Sequence, residues 1–118
     1  MLFRSWAGIL EQQGKLNEAV AHYTAVLDID PATFSAHNNL GSVLVRQGKY
    51  DEAAAHCTRA LQINPRLPEA YYNLGNIRFQ QDDFEEAVIN YQKALSLRPN
   101  WPQAQENLSM AKSQMQTL

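Results

Sequence analysis

Ala36-His37-Asn38-Asn39-Leu40-Gly41 is echoed 34 residues later by Ala70-Tyr71-Tyr72-Asn73-Leu74-Gly75. This register decides the fold. At the same shift Glu52-Ala53 falls on Glu86-Ala87, Ala60-Leu61 on Ala94-Leu95, and Pro65 on Pro99. One step earlier, Glu18-Ala19 and Pro31 keep the phase. Repeats therefore run over about 1–33, 34–67 and 68–101, and residues 102–118 form the first half of a fourth. A fixed period of this length marks stacked units that bury their apolar faces only against one another.

Each unit reads as two helices. Phe34 to Gln47 carries Ala36, Leu40, Val43 and Leu44 at helical spacing, and Gly48 follows, suited to the left-handed turn that ends a helix. A second helix opens with Asp51-Glu52, acids that favour a helix N-terminus, and stops before Asn64-Pro65. Gly14 and Pro31 punctuate the first unit in the same way, predicting a turn at Gly14. In the third unit Asp82 stands where the turn glycine belongs, so that turn carries some conformational cost. Gly41, Gly75, Ala53, Ala87, Ala60 and Ala94 are small enough to let paired helices approach closely. Leu40, Leu74, Tyr91, Tyr23 and Leu10 are expected to fill the space between successive pairs.

The 118 residues suffice for one domain with its own core. Ten basic and 12 acidic residues give a net charge of -2, which excludes a broad basic surface for nucleic acid or an anionic membrane. The single cysteine, Cys57, excludes an internal disulfide framework and a cysteine-based zinc site. With no long apolar run and no secretory leader, the chain reads as a cytoplasmic protein.

These residues resemble the tetratricopeptide repeats, whose pattern is Trp-x2-Leu-Gly-x2-Tyr, then Ala-x3-Phe, then Pro. The third unit supplies Tyr71, Leu74-Gly75, Ala87, Tyr91 and Pro99; the second His37, Leu40-Gly41, Ala53, Cys57 and Pro65; the first Phe3, Trp6-Ala7, Leu10, Ala19, Tyr23 and Pro31. Arg78 and Leu44 depart from the usual tyrosine, and Trp6-Ala7 from Leu-Gly. The resemblance covers the whole chain. It implies an all-α solenoid, a right-handed superhelix of about seven antiparallel helices, with a concave groove lined by each first helix. It also implies a non-enzymatic scaffold that binds a protein or peptide, without a cofactor.

The ends differ. The last helix, Pro102 to about Met115, places Ala104, Leu108, Ala111 and Met115 on one face and polar residues on the other, as a capping helix does. That reads as the end of the stack. At the other end Leu2, Trp6 and Ile9 occupy the sites equivalent to Ala104, Leu108 and Ala111, with no unit before them to cover them. A local fold-down, truncation of a longer array, and a homo-oligomer formed through this N-terminal face are the readings open here.

Asn39, Asn73 and Asn107 recur at one site on successive first helices. A similar asparagine ladder grips peptide backbone in superhelical members of the family, and a carboxamide both donates and accepts. Three such residues at a helix spacing of about 10 Å would hold on the order of six extended residues. The alternative is that asparagine at this site only helps adjoining helices meet. Asn38, Tyr72, Asn76, Phe79 and Arg46 are expected to line the same groove, with Arg4, Gly8, Ser42, Glu69 and Gln80 around them. The family's carboxylate clamp, which binds acidic chaperone C-termini, needs basic residues and asparagines at defined sites. Arg4 and Asn39 match, but Gly8 replaces an asparagine, and Glu69 and Asn73 replace two basic residues, so the clamp is rejected. Tyr72 and Phe79 are the aromatic anchors or, equally, ordinary packing between units.

Catalytic chemistry finds little support. His56 and Cys57 are neighbours on a helix, so they point about 100° apart and cannot act as a nucleophile and its base. His22 and His56 share one site, but Asn90 breaks the column and no third metal ligand is evident. The functional readings are thus a groove-binding interaction module, a self-associating structural unit, or the targeting part of a larger enzyme.

Overall fold

A computed structural model describes the backbone of residues 2–117 and the side-chain surroundings of residue 8 and residues 12–117. The chain is helical: α1 (Leu2–Ile29), α2 (Phe34–Arg46), α3 (Tyr50–Ile63), α4 (Pro68–Gln80), α5 (Phe84–Leu97) and α6 (Pro102–Gln116). Helices adjacent in sequence pack on one another, and α2 also meets α4, so the first helices of successive units form one layer of a solenoid. Six helices among the described residues replace the seven expected. The difference lies at Gly14, which ends no helix: α1 runs through it for 28 residues. Among the described residues nothing packs against Gly14: a Cβ built there meets nothing within 4 Å. A hairpin turn is stabilised by the helices it brings together, and without that packing the helix continues at a cost of about 1 kcal/mol for the glycine. The side chains of Leu2, Trp6 and Ile9, expected to form a self-association face, lie outside the described residues.

The two later turns form as expected. Gly48 has φ 76° and Asp82 φ 61°, both left-handed. The hydrogen bonds match: Gly48 N–H to Val45 O (2.9 Å) and Lys49 N–H to Leu44 O (2.9 Å), then Asp82 N–H to Phe79 O (3.0 Å) and Asp83 N–H to Arg78 O (2.8 Å). The third turn has a compensation, since the Asp83 carboxylate accepts from Glu86 N–H at 3.3 Å and caps α5. Between units, Asp30 and Asn64 side chains accept from the backbone two residues on, Ala32 N–H (3.1 Å) and Arg66 N–H (3.2 Å), holding the Pro31 and Pro65 corners.

Inside each hairpin the glycine site controls the distance between helices. A methyl at Gly41 would lie 2.5 Å from Cys57 Sγ and 3.2 Å from the Ala53 carbonyl; at Gly75 it would lie 2.5 Å from the Tyr91 ring. Ala53, Cys57, Ala60, Ala87 and Ala94 are fully buried as a result. Two clusters form the core. Leu40, Leu44, Cys57, Leu74 and Ile77 make one, and Ala87, Tyr91 and Ala111 make the other. On α6, Ala104 and Ala111 are buried and Leu108 is half-buried, but Met115 is exposed, contrary to the expected four-residue face. It lies in the last turn of α6, beside the exposed Asp82-Asp83 turn of the hairpin beneath it.

His37 and His56 join the two helices of the second unit. Their Nδ1 atoms are 3.1 Å apart, and His37 Nε2 donates to the Pro31 carbonyl at 2.8 Å. The carbonyl only accepts, so Nε2 of His37 carries a proton, and the Nδ1 pair shares one more. A further proton between the rings would set two N–H groups against each other. Burial lowers the His56 pKa below its ordinary value of 6.5; neighbouring His37 lowers it further and Glu52 opposes.

Two outcomes follow. Gly41→Ala should destabilise the fold by about 1–3 kcal/mol through overpacking, although alanine is the better helix former by about 1 kcal/mol. In a Cys57→Ala background most of that loss should disappear, because the thiol is what the new methyl meets; urea unfolding that finds the two costs additive contradicts this packing. For His56, a lowered pKa means the unfolded chain binds more protons. Its contribution is therefore complete above 6.5 and lost as pH falls below it. The urea midpoint should drop between pH 7.5 and 5.5, and His56→Asn, which copies the residue at position 90, should flatten that part of the profile.

Candidate functional site

The layer of first helices positions the site. Val45 from α2, Asn76, Phe79 and Gln80 from α4, and Asn107 and Met110 from α6 surround a pocket of about 270 Å³, with Tyr91 of α5 contributing its ring. Residues 34 apart occupy equivalent places: Val45 and Phe79, Asn76 and Met110. Tyr91 reaches the site because Gly75 leaves its ring room between α4 and α5.

Polar groups in the pocket are tied together. Tyr91 O–H donates to Asn76 Oδ1 at 2.5 Å, and Asn107 Nδ2 donates to the same oxygen at 3.3 Å and to the Tyr72 hydroxyl at 3.0 Å. Burial raises the Tyr91 pKa well above the usual phenol range; Tyr72 adds to the rise and the Asn107 hydrogen bond opposes it. The phenol therefore stays protonated as a donor. Among the described residues no charged side chain lines this pocket.

The asparagine column has a structural part as well. Asn73 Nδ2 donates to Asn38 Oδ1 at 2.9 Å, one helix back, and Asn107 makes the equivalent bond to Tyr72. Net, each such bond is worth about 0.5–1.5 kcal/mol and sets neighbouring first helices side by side. Asn107 uses both N–H groups this way and keeps its carbonyl oxygen. Asn73 keeps one N–H and its carbonyl, while Asn39 is exposed and Asn38 is buried. Tyr72 is half-buried between Tyr91 (centroids 5.9 Å) and Trp101 (4.5 Å). Phe79 lines the pocket and also meets Phe84 edge-on at 5.2 Å. Arg46 is exposed and outside the pocket lining.

Asn76, Phe79 and Asn107 thus converge, while Asn39 and Arg46 lie on α2 outside the lining, and Asn73 and Asn38 form a rung between α2 and α4. Sequence reasoning missed Val45 and Met110, although the 34-residue register places them beside Phe79 and Asn76. Near one end Glu69 pairs with Arg98 at 3.6 Å, both half-exposed, and Arg98 lies 4.6 Å over the Trp101 ring. Cys57 is fully buried, and burial pushes its thiol up to about 12, so it is no nucleophile near neutral pH. No group of three or more histidine, cysteine or acidic side chains among the described residues is placed to hold a metal ion. No described helix is long and apolar enough to cross a membrane.

No curated protein matches this chain. Among solved structures, the first TPR of Spaghetti (RPAP3) bound to the HSP90 peptide SRMEEVD aligns with a TM-score of 0.83 at 29% identity, over 97% of this chain and 90% of that one. The first TPR domain of human RPAP3 gives 0.85 at 29% identity, over 96% and 89%. The second TPR domain of human RPAP3, in complex with the HSP70 peptide SGPTIEEVD, gives 0.78 at 26% identity, over 92% and 91%. A TPR repeat model matches residues 9–48, and a tetratricopeptide repeat model matches residues 32–100. With the hairpins, turns and small-residue contacts in place, the chain belongs to the tetratricopeptide repeat family.

Proposed function

We propose that the chain is a peptide-binding interaction module and that its ligand is an uncharged, extended segment of a partner protein. The observation that carries this reading is the neutral pocket between α2, α4 and α6. Its walls are Val45, Phe79, Met110 and the Tyr91 ring, and its polar groups are the amides of Asn76, Gln80 and Asn107. Such a lining takes an apolar side chain and fixes the flanking backbone by hydrogen bonds. Asn39, the free half of the Asn73 carboxamide and the Asn107 carbonyl supply the backbone contacts, with Tyr72 as an aromatic neighbour.

The peptides held by the Spaghetti and human RPAP3 domains end in Glu-Glu-Val-Asp and are acidic. This groove differs where such peptides need cations. Glu69 and Asn73 stand at the two basic sites of a clamp, Gly8 replaces an asparagine, and Arg98 beside Glu69 is already paired. A second carboxylate brought near Glu69 would be repelled, so the groove selects by shape and hydrogen bonding rather than by charge.

On an array of hexapeptides, this chain should retain neutral sequences carrying one Leu, Met or Phe and leave those ending in Glu-Glu-Val-Asp. Asn39→Ala with Asn73→Ala should weaken a retained peptide roughly tenfold, the worth of one or two hydrogen bonds, with helicity unchanged. Equal retention by the double variant, or a preference for the acidic ends, would contradict this reading.

A further inference from the structure

The second half of α1 exposes a surface that the other two units cover. Ala53, Cys57, Ala60, Ala87 and Ala94 are 0% exposed and Tyr91 is 1% exposed, because the chain's own first helix lies on them. Their counterparts Ala19, Tyr23 and Val26 on α1 are only half-buried. The helix that should cover them is the first half of α1, which runs on into the second half as one helix instead of folding back. Gly8 shows the same: a Cβ there meets nothing within 4 Å and the residue is exposed, whereas Ser42 and Asn76 at its site are half-buried. Local sequence does not explain the difference. Gln13-Gly14-Lys15-Leu16-Asn17-Glu18-Ala19 nearly repeats Gln47-Gly48-Lys49-Tyr50-Asp51-Glu52-Ala53, yet only Gly48 takes the left-handed turn.

We propose that the Ala19/Tyr23/Val26 face is covered by residues 2–13 of a second copy of this chain, in a reciprocal, two-fold dimer. The sequence of 2–13 suits that place, since Trp6, Ala7 and Leu10 occupy the register positions of Leu40, Gly41 and Leu44. A continuous α1 of about 42 Å cannot lay its own first half on its second. Two such helices, antiparallel, do this for each other. The geometry of the second hairpin fixes the register: Gly41 sits against Ala53 and Cys57, so position 7 of one copy meets Ala19 and Tyr23 of the other. These pairs centre on position 14, which puts the two-fold axis at Gly14, where a Cβ has open space around it. The dimer thereby continues the helix-on-helix pairing already made twice within each chain, and Gly14 is the hinge between a closed monomer and an exchanged pair.

Light scattering on the eluted protein at about 100 μM tests this, with circular dichroism as the check on folding. Wild type should elute at twice the monomer mass. Gly14→Ala favours the continuous helix and disfavours the left-handed turn, so it should tighten the dimer at least about fourfold. Asn17→Pro interrupts a continuous helix but is tolerated in the first turn of one that starts afresh, so it should give a helical monomer. Wild type and Gly14→Ala both remaining monomeric would overturn the proposal, as would a helical Asn17→Pro dimer as tight as wild type. Should Asn17→Pro fail to fold, the comparison of wild type with Gly14→Ala decides alone.

Discussion

The close approach of paired helices at Gly41 and Gly75 is the constraint on which the rest of this structure depends. Each glycine faces a side chain from the partner helix at a distance that leaves no room for one methyl, Cys57 in one hairpin and Tyr91 in the other. This closeness is what buries the alanines of α3 and α5 completely. It also delivers the Tyr91 ring through the helix pair to the layer of first helices, where its hydroxyl bonds Asn76 and its face lines the pocket. Packing and site share one cause. A change that spreads the hairpin moves the floor of the pocket with it.

In the proposed reading the asparagine column serves two ends. Asn73 and Asn107 each reach back to the preceding first helix, so part of their hydrogen-bonding capacity holds the superhelical layer in order. What remains faces outward and differs from rung to rung. A ligand's backbone would meet a carbonyl acceptor at Asn107 and both a donor and an acceptor at Asn73. In the proposed complex such a gradation would set the direction of an extended segment.

Much of this was legible in the sequence because the 34-residue register carries geometry. The small residues, the turn at Gly48, its aspartate substitute at Asp82 and the convergence of Asn76, Phe79 and Asn107 all follow from it. Two features escaped for physical reasons. The turn expected at Gly14 is absent because a hairpin turn needs the packing of the helices it joins, and seven residues of local sequence cannot say whether that packing exists. The His37–His56 pair bridges positions 19 apart on different helices, and the register breaks at both, with Tyr71 and Asn90 standing in the next unit. Met110 was missed for a similar reason, an apolar residue in a column otherwise occupied by Gly8, Ser42 and Asn76.

The central claim is that the face of α2, α4 and α6 is the binding surface and the neutral pocket its selective point. Methyl-resolved NMR tests it most directly, during titration with a neutral hexapeptide carrying one leucine. Val45 and Met110, on opposite walls of the pocket, should shift together and saturate together, while the methyls of Ile89, exposed on α5, stay still. Shifts confined to Ile89 and its neighbours, with Val45 and Met110 unmoved, would place binding on the second helices and contradict the account.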